Sequence, residues 1–437
     1  MKTLRLALVL PLLALAAATA PARAADTPPP LPRPLTLDAA LAYALEHNPA
    51  LLRTREQIRE QEGVLVSARA ARLPTLAASG SASRVDDRRL ESPLAEDRSW
   101  SVDVTASQVL YAGGSLQAQE RGQRAQLEAA RLAFNAAVND TLLSVRQQFS
   151  TVLLSRELIG VQEEALNVLE NELAYARSRR DAGTGSDFDL LRAEVAVANA
   201  RPGLIRARNA FKIAQEKLRT TLGAASTSAS DLDVQGSLAV PARDIALADA
   251  VSAARAQRPE LLQQERLVQA AEQGVVGARS GYLPTVSLAA GYEWTRPSPV
   301  TTTAGNLHGW SAGVQASWSL FDSKATAGKV TQARSRAQQA RLALEERQLA
   351  VELEVRTAHA SLAEASEVLR ASEQVVAQAR ESLRLAQTRY QAGLSTQLDV
   401  LSAQSSLTQA RSNLAQAQHD YAVALASLER ATGAGGR

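Results

Sequence analysis

Thr285-Val286-Ser287-Leu288-Ala289-Ala290-Gly291-Tyr292-Glu293-Trp294 decides the fold. Val286, Leu288, Ala290, Tyr292 and Trp294 take one side; Ser287, Ala289, Gly291 and Glu293 take the other. A second run, Trp310 to Leu320, sets Trp310, Ala312, Val314, Ala316, Trp318 and Leu320 against Ser311, Gly313, Gln315, Ser317 and Ser319. Earlier in the chain Trp100, Val102, Val104 and Ala106 alternate with Ser101, Asp103, Thr105 and Ser107, after a weaker run at Thr75–Ser83. A period of two over about ten residues, apolar on one side and polar on the other, is the pattern of a bilayer-spanning strand.

The aromatic residues sharpen this reading. All four tryptophans, Trp100, Trp294, Trp310 and Trp318, lie in these segments, with Tyr111, Phe321 and Tyr282 toward the opposite ends. Amphipathic rings gather at the two membrane interfaces, so these positions are expected to form two belts. A soluble sheet with an aromatic core would leave the Ser, Gly, Asp and Glu of the other face unexplained. Single-chain barrels start at about eight strands, and four cannot close one. An open edge in lipid strands backbone polar groups at several kcal/mol each, so closure must come from other copies of the chain. The segments Val85–Ser99, rich in charge, and Arg296–Leu307, rich in Pro, Thr and Gly, are the expected outer loops.

The strands belong to a unit written twice. Leu73-Pro74-Thr75 and Leu283-Pro284-Thr285, Asn48-Pro49 and Arg258-Pro259, Trp100 and Trp310, Gly183 and Gly393, Asp189 and Asp399 all stand 210 residues apart. Two unrelated helical halves could not hold Pro, Trp and Gly at one constant offset without a gap. Repeat 1 is assigned to 37–223 and repeat 2 to 244–433, with a linker at 224–243 and a tail at 434–437. Each repeat opens with two helices that stop before Leu-Pro-Thr, because the residue before proline disfavours the α conformation. Strands are expected near 75–84, 99–110, 285–295 and 309–320. Long helices are expected near 115–181 and 324–391, with return helices near 187–222 and 397–431.

No proline interrupts Gly114–Gly183 or Asp322–Gly393. About 65 helical residues at ~1.5 Å each reach roughly 100 Å, too long for a compact domain to bury. Val355, Leu362, Leu369, Val376, Leu383 and Tyr390 recur every seven residues, as do Val145, Val152, Ile159, Leu166 and Leu173. These are coiled-coil seams, structural in role, and they suit the wall of a tube. The long helices end at Gly183 and Gly393, which suit left-handed terminating positions. Asp189 and Asp399 then fall in the first turn of each return helix. A carboxylate there offsets the helix dipole and caps amides; copies from several chains would also form an acidic constriction.

Composition bounds the rest. Of the 437 residues 46% are hydrophobic but only 4% aromatic, which suits long helices packed through small side chains. The formal net charge of +3 has Arg and Glu interleaved along helices, so a nucleic-acid partner is not indicated. Residues 1–24 resemble a secretory signal, with Lys2 and Arg5, an apolar run and Ala22-Arg23-Ala24 before the expected cleavage; 25–36 is a Pro-rich leader. There is no cysteine, which excludes disulfides and thiol chemistry. The four histidines, His47, His308, His359 and His419, form no metal pair, and no phosphate-binding glycine loop occurs. Neither an enzyme, a metal site nor a cofactor is expected.

With the doubled unit, the two helix starts, the two Leu-Pro-Thr junctions and the Tyr390…Gly393…Asp399-Val400-Leu401 tip in view, the chain resembles the TolC-type outer-membrane efflux family over essentially all of its mature length. The resemblance implies an α+β membrane protein: a homotrimer whose four strands per chain make a twelve-stranded β-barrel in outer-membrane lipid, carried on an α-helical barrel in the periplasm. It implies an exit duct of a tripartite small-molecule efflux pump, or one for type I protein secretion. The implied partners are a periplasmic adaptor at the tips and an inner-membrane transporter of the resistance-nodulation-division or ABC class. It also implies a gate: Asp399 and Asp189 at the constriction, with Tyr390, Gly393, Gly183, Asp187, Arg192 and Ser395 at the tip turns. Ser395 stands where a latch arginine is expected, Phe188 replaces a threonine and Ser402 a second constriction aspartate, leaving Asp187 or Arg192 as substitutes. The rival class is a soluble periplasmic coiled-coil scaffold or adaptor.

Overall fold

The computed structural model describes residues 31–86, 98–224, 232–241, 243, 245–296 and 306–434. The expected signal, half of the leader, the bulk of both outer loops, part of the linker and the end of the tail lie outside these residues. Among the described residues eight α-helices and four strands follow one another in two rounds. The first round is α1 (Leu37–His47), α2 (Pro49–Ala70), β1 (Thr75–Arg84), β2 (Arg98–Ala112), α3 (Ser115–Asp181) and α4 (Asp187–Leu222). The second is α5 (Leu247–Gln257), α6 (Pro259–Arg279), β3 (Thr285–Arg296), β4 (Leu307–Ser317), α7 (Ala325–Gln391) and α8 (Gln397–Thr432). Helices α3 and α7 each hold 67 residues, and α4 and α8 each hold 36.

The strands form one antiparallel sheet in the order β1-β2-β3-β4, which leaves β1 and β4 as edges. Cross-strand partners share a face, so register tests the alternation directly. Val104 lies opposite both Ala78 and Tyr292, and Tyr292 opposite Trp310. Ala106, Ala290 and Ala312 form the next apolar row. The rows that alternate with these are polar or small, Ser79, Asp103, Glu293 and Gly309 before the Val104 row and Ala77, Thr105, Gly291 and Ser311 after it. On the polar face of the first hairpin the side chains bond across the strands. Ser79 donates to Asp103 at 2.5 Å, and the hydroxyl pairs Ser81/Ser101, Ser83/Ser99 and Thr75/Ser107 lie 2.9, 2.7 and 2.9 Å apart.

One expectation is corrected. The alternation runs to Leu320, but β4 ends at Ser317. Its partner β3 begins at Thr285, paired with Ser317, and the residue before is Pro284, which has no amide to continue the ladder. Trp318 instead turns its indole N–H onto the Tyr282 carbonyl at 3.1 Å.

The helices pack in two matching clusters. Ala40 and Ala44 of α1 meet Val145 and Val152 of α3 and Leu218 of α4. Ala250 and Ala254 of α5 meet Val355 and Leu362 of α7 and Leu428 of α8. Each buried Val or Leu contributes about 1.5–3 kcal/mol, so these two joints brace the long rods near their middles. Toward the far end α7 and α8 keep a dry seam of Leu383, Tyr390, Val400 and Leu407.

Candidate functional site at the helical tips

The rods end in two similar turns. In the first, Gly183 takes a left-handed φ of +74°, and the amides of Thr184 and Gly185 both donate to the Arg179 carbonyl at 2.9 Å. In the second, Gly393 has φ +73° and Leu394 donates to the Arg389 carbonyl at 2.8 Å. A positive φ costs most side chains, and glycine escapes that cost.

The two return helices start differently. In α4, the Ser186 hydroxyl accepts from the Phe188 amide at 3.0 Å. In α8, the Asp399 carboxylate reaches back to Thr396, accepting from its amide and its hydroxyl at 2.9 Å each. These bonds, the amide first, and then the positive charge of Arg389 hold the Asp399 carboxyl below its ordinary range. Asp189 accepts no hydrogen bond among the described residues, and its charge lies near the Tyr390 phenol. The two aspartates that the sequence treats as a pair are therefore in different states. One is committed to its helix start and one is free.

Tyr390 is buried at the end of α7, and its ring meets Tyr175 of α3 edge-on, with centroids 5.8 Å apart at 76°. The Arg179 guanidinium sits 5.7 Å from the Tyr390 ring centre and 6.0 Å from that of Tyr175. It also lies 3.5 Å from the Tyr390 hydroxyl and donates to the Thr184 carbonyl at 3.0 Å. Burial pushes the Tyr390 phenol up, against the pull of Arg179 and with the help of Asp189 and Glu172. Burial likewise raises the Glu172 carboxyl. Arg179 and Tyr175 thus tie the α3/α4 pair to the α7/α8 pair at the tip.

The sequence reading did not single out Arg179. Its signal was present, an aromatic residue and an arginine four apart on the last turns before Gly183. The suggested substitute Arg192 lies instead over the Phe188 ring of its own helix at 4.6 Å. Asp187 opens α4, and the Ser395 hydroxyl donates to the Ala386 carbonyl at 3.4 Å.

At the other end of the molecule Trp294 stands opposite His308 and Trp310 opposite Tyr292, with Trp100 beside Arg296. Tyr111 lies opposite Val286, and Trp318 and Phe321 follow β4. The aromatic positions therefore fall at two levels, one toward the hairpin tips and one toward the rods. Among the described residues no group of side chains is arranged to hold a metal ion, and no helix is long and apolar enough to cross a membrane.

A family profile described as outer membrane efflux protein matches residues 40–224 and 250–434. The chain is 29% identical to Protein CyaE of Bordetella pertussis and 26% identical to outer membrane efflux protein BepC of Brucella suis. Each alignment runs over 309 residues, 70% of this chain and 64% of the relative. The fold is similar to that of the outer membrane protein VceC of Vibrio cholerae, with a TM-score of 0.76 and 21% identity over 91% of this chain and 96% of that one.

Proposed function

The chain belongs to the outer membrane efflux protein family, and from that membership we propose that it forms the trimeric exit duct of a tripartite pump exporting small molecules. The observation that carries the reading is the four-stranded sheet with one mainly apolar face, one mainly polar face and two open edges, set on two 67-residue rods. In outer-membrane lipid the apolar face turns outward, and β4 of one copy pairs with β1 of the next, leaving no unpaired backbone. The rods continue the pore into the periplasm. Their tips meet a periplasmic adaptor that joins the duct to an inner-membrane transporter. Asp399 and Asp189 from three copies charge the tip opening, and the Arg179 clamp on Tyr175 and Tyr390 holds the helix pairs together in the closed state.

The test is direct. The full-length protein is expected to require detergent for extraction, to behave as a trimer in sedimentation, and to conduct ions in a planar bilayer. A freely soluble monomer without conductance would overturn the reading in favour of a periplasmic scaffold.

A further inference from the structure

Between α3 and α7, floored by α8, runs a groove of about 930 Å³. Leu143, Leu353, Val368 and Val423 line it, and Leu353 and Val368 stand 67% and 48% exposed. Large apolar side chains left in water along a concavity of this size suit a drug-sized molecule.

The charges on the groove are one-sided. Four carboxylates border it, Asp140, Glu354, Glu364 and Asp420, against a single guanidinium, Arg430. Arg430 is occupied by Asp140 at 2.7 Å, Glu260 at 3.1 Å and Glu354. Glu354 is also held by Arg258 at 2.7 Å. Burial opposes its charge, but the two arginines outweigh burial and keep its carboxyl below the usual range. That leaves Glu364 and Asp420. Glu364 is exposed and has no hydrogen bond or ion pair among the described residues. Asp420 meets the Gln416 amide at 2.8 Å and the His419 ring at 3.0 Å, with no Lys or Arg against it. The free charge of the groove is negative.

Its position follows from the packing. Tyr421, Leu425 and Leu428 of α8 face α5, whereas Asp420, Val423 and Ser427 face the groove on the other side. In a closed ring of rods, the extra helices α1 and α5 fit on the longer outer circumference. The groove is then on the inner wall. We infer that it binds amphipathic organic cations in transit, an apolar body against Leu353, Val368 and Val423 and a positive charge beside Glu364 and Asp420. The siting rests on the exit-duct reading; the binding rests on the groove.

Equilibrium dialysis of the purified trimer with tetraphenylphosphonium and tetraphenylborate, ions alike in shape and opposite in charge, tests this. Saturable binding of the phosphonium is expected, about fivefold or more tighter than that of the borate. The double variant Glu364→Gln/Asp420→Asn should weaken phosphonium binding about fivefold, the scale of two exposed charge contacts. Ser361→Trp, which fills the groove from an exposed position, should abolish it; Thr357→Trp serves if the first variant loses its helical signal. Equal affinity for both ions, no saturable binding, or phosphonium binding that survives the filled groove would overturn the inference. Conductance measured on the same preparation separates the two readings, since a protein that binds the phosphonium but conducts nothing sinks the duct alone.

Discussion

Asn48 and Arg258 occupy the same place in the two repeats and hold the same carbonyl by different means. The Asn48 amide donates to the Thr221 carbonyl at 2.7 Å, and the Arg258 guanidinium donates to the Ala431 carbonyl at 3.1 Å. Asn48 also caps α2, its Oδ1 accepting from Ala50 and Leu51 at 2.8 and 3.3 Å. Arg258 is 1% exposed and gathers Glu260 and Glu354 as well, at 3.0 and 2.7 Å. Duplication has thus left one joint neutral and one ionic.

That difference sets an order of stabilities. Arg258→Ala empties a buried site, removes one of the two guanidiniums that hold Glu260 and Glu354, and leaves a carbonyl without its donor, so it should cost about 3 kcal/mol. Asn48→Ala removes a cap and one hydrogen bond, about 1–2 kcal/mol. Thermal loss of helical circular dichroism at matched trimer concentration reads both; equal losses would contradict the buried ionic joint.

At the tip, Arg179→Ala removes two ring contacts, each worth about 0.5–1 kcal/mol, and should shift the closed-to-open ratio by roughly five- to thirtyfold. Closed-state conductance in planar bilayers should rise accordingly. Tyr390→Phe loses only the long contact to the hydroxyl and keeps both ring contacts, so it should change conductance little. A large effect of Tyr390→Phe together with none of Arg179→Ala would refute the clamp.

Asp399 gives a pH prediction. Its folded-state pKa is depressed by the Thr396 amide, the Thr396 hydroxyl and Arg389. Its contribution to the start of α8 is therefore complete above the unfolded value of about 3.9 and is lost as pH falls through the lower folded value. Block of the channel by multivalent cations should persist at pH 4.5 and fade only below the usual carboxylate range. Asp399→Ala should weaken the block at every pH; half-relief in the unmodified protein at about pH 3.9, the ordinary aspartate value, would show an undepressed carboxyl.

Gly223 and Gly433 end α4 and α8 with φ of +77° and +81°. A Cβ at Gly223 would collide with the His47 carbonyl, whereas one at Gly433 would lie 3.1 Å from the Gln257 carbonyl. Both alanine variants pay about 1–2 kcal/mol for the left-handed backbone, and Gly223→Ala should cost measurably more. Chemical denaturation of the two variants side by side decides this.

Much of the fold was legible because its signals are periodic. Val355 and Leu362 repeat every seven residues and Val286 to Trp294 every two, and each period corresponds to one geometry. The end of β4 was not legible, since the alternation continues through Leu320 while the limit is set by Pro284, just ahead of the neighbouring strand β3. The clamp was hidden for a similar reason. A heptad tells which face of α3 is inward, but the meeting of Arg179 with Tyr390, 211 residues apart in sequence, depends on how the two rods are staggered. Asp189 and Asp399 look equivalent by offset, yet Ser186 and Thr396 begin their helices differently, and only the side-chain geometry separates them.

The hydroxyl pairs that run down the first hairpin carry one more consequence. Ser81 with Ser101, Ser83 with Ser99 and Thr75 with Ser107 each engage one O–H within the pair, so a pair offers the solvent one donor instead of two. In the proposed barrel such a lining wets readily yet grips weakly, because half of its hydroxyl donors are already engaged across the strands. Friction in the outer part of the pore is thereby kept low for cargo of many shapes.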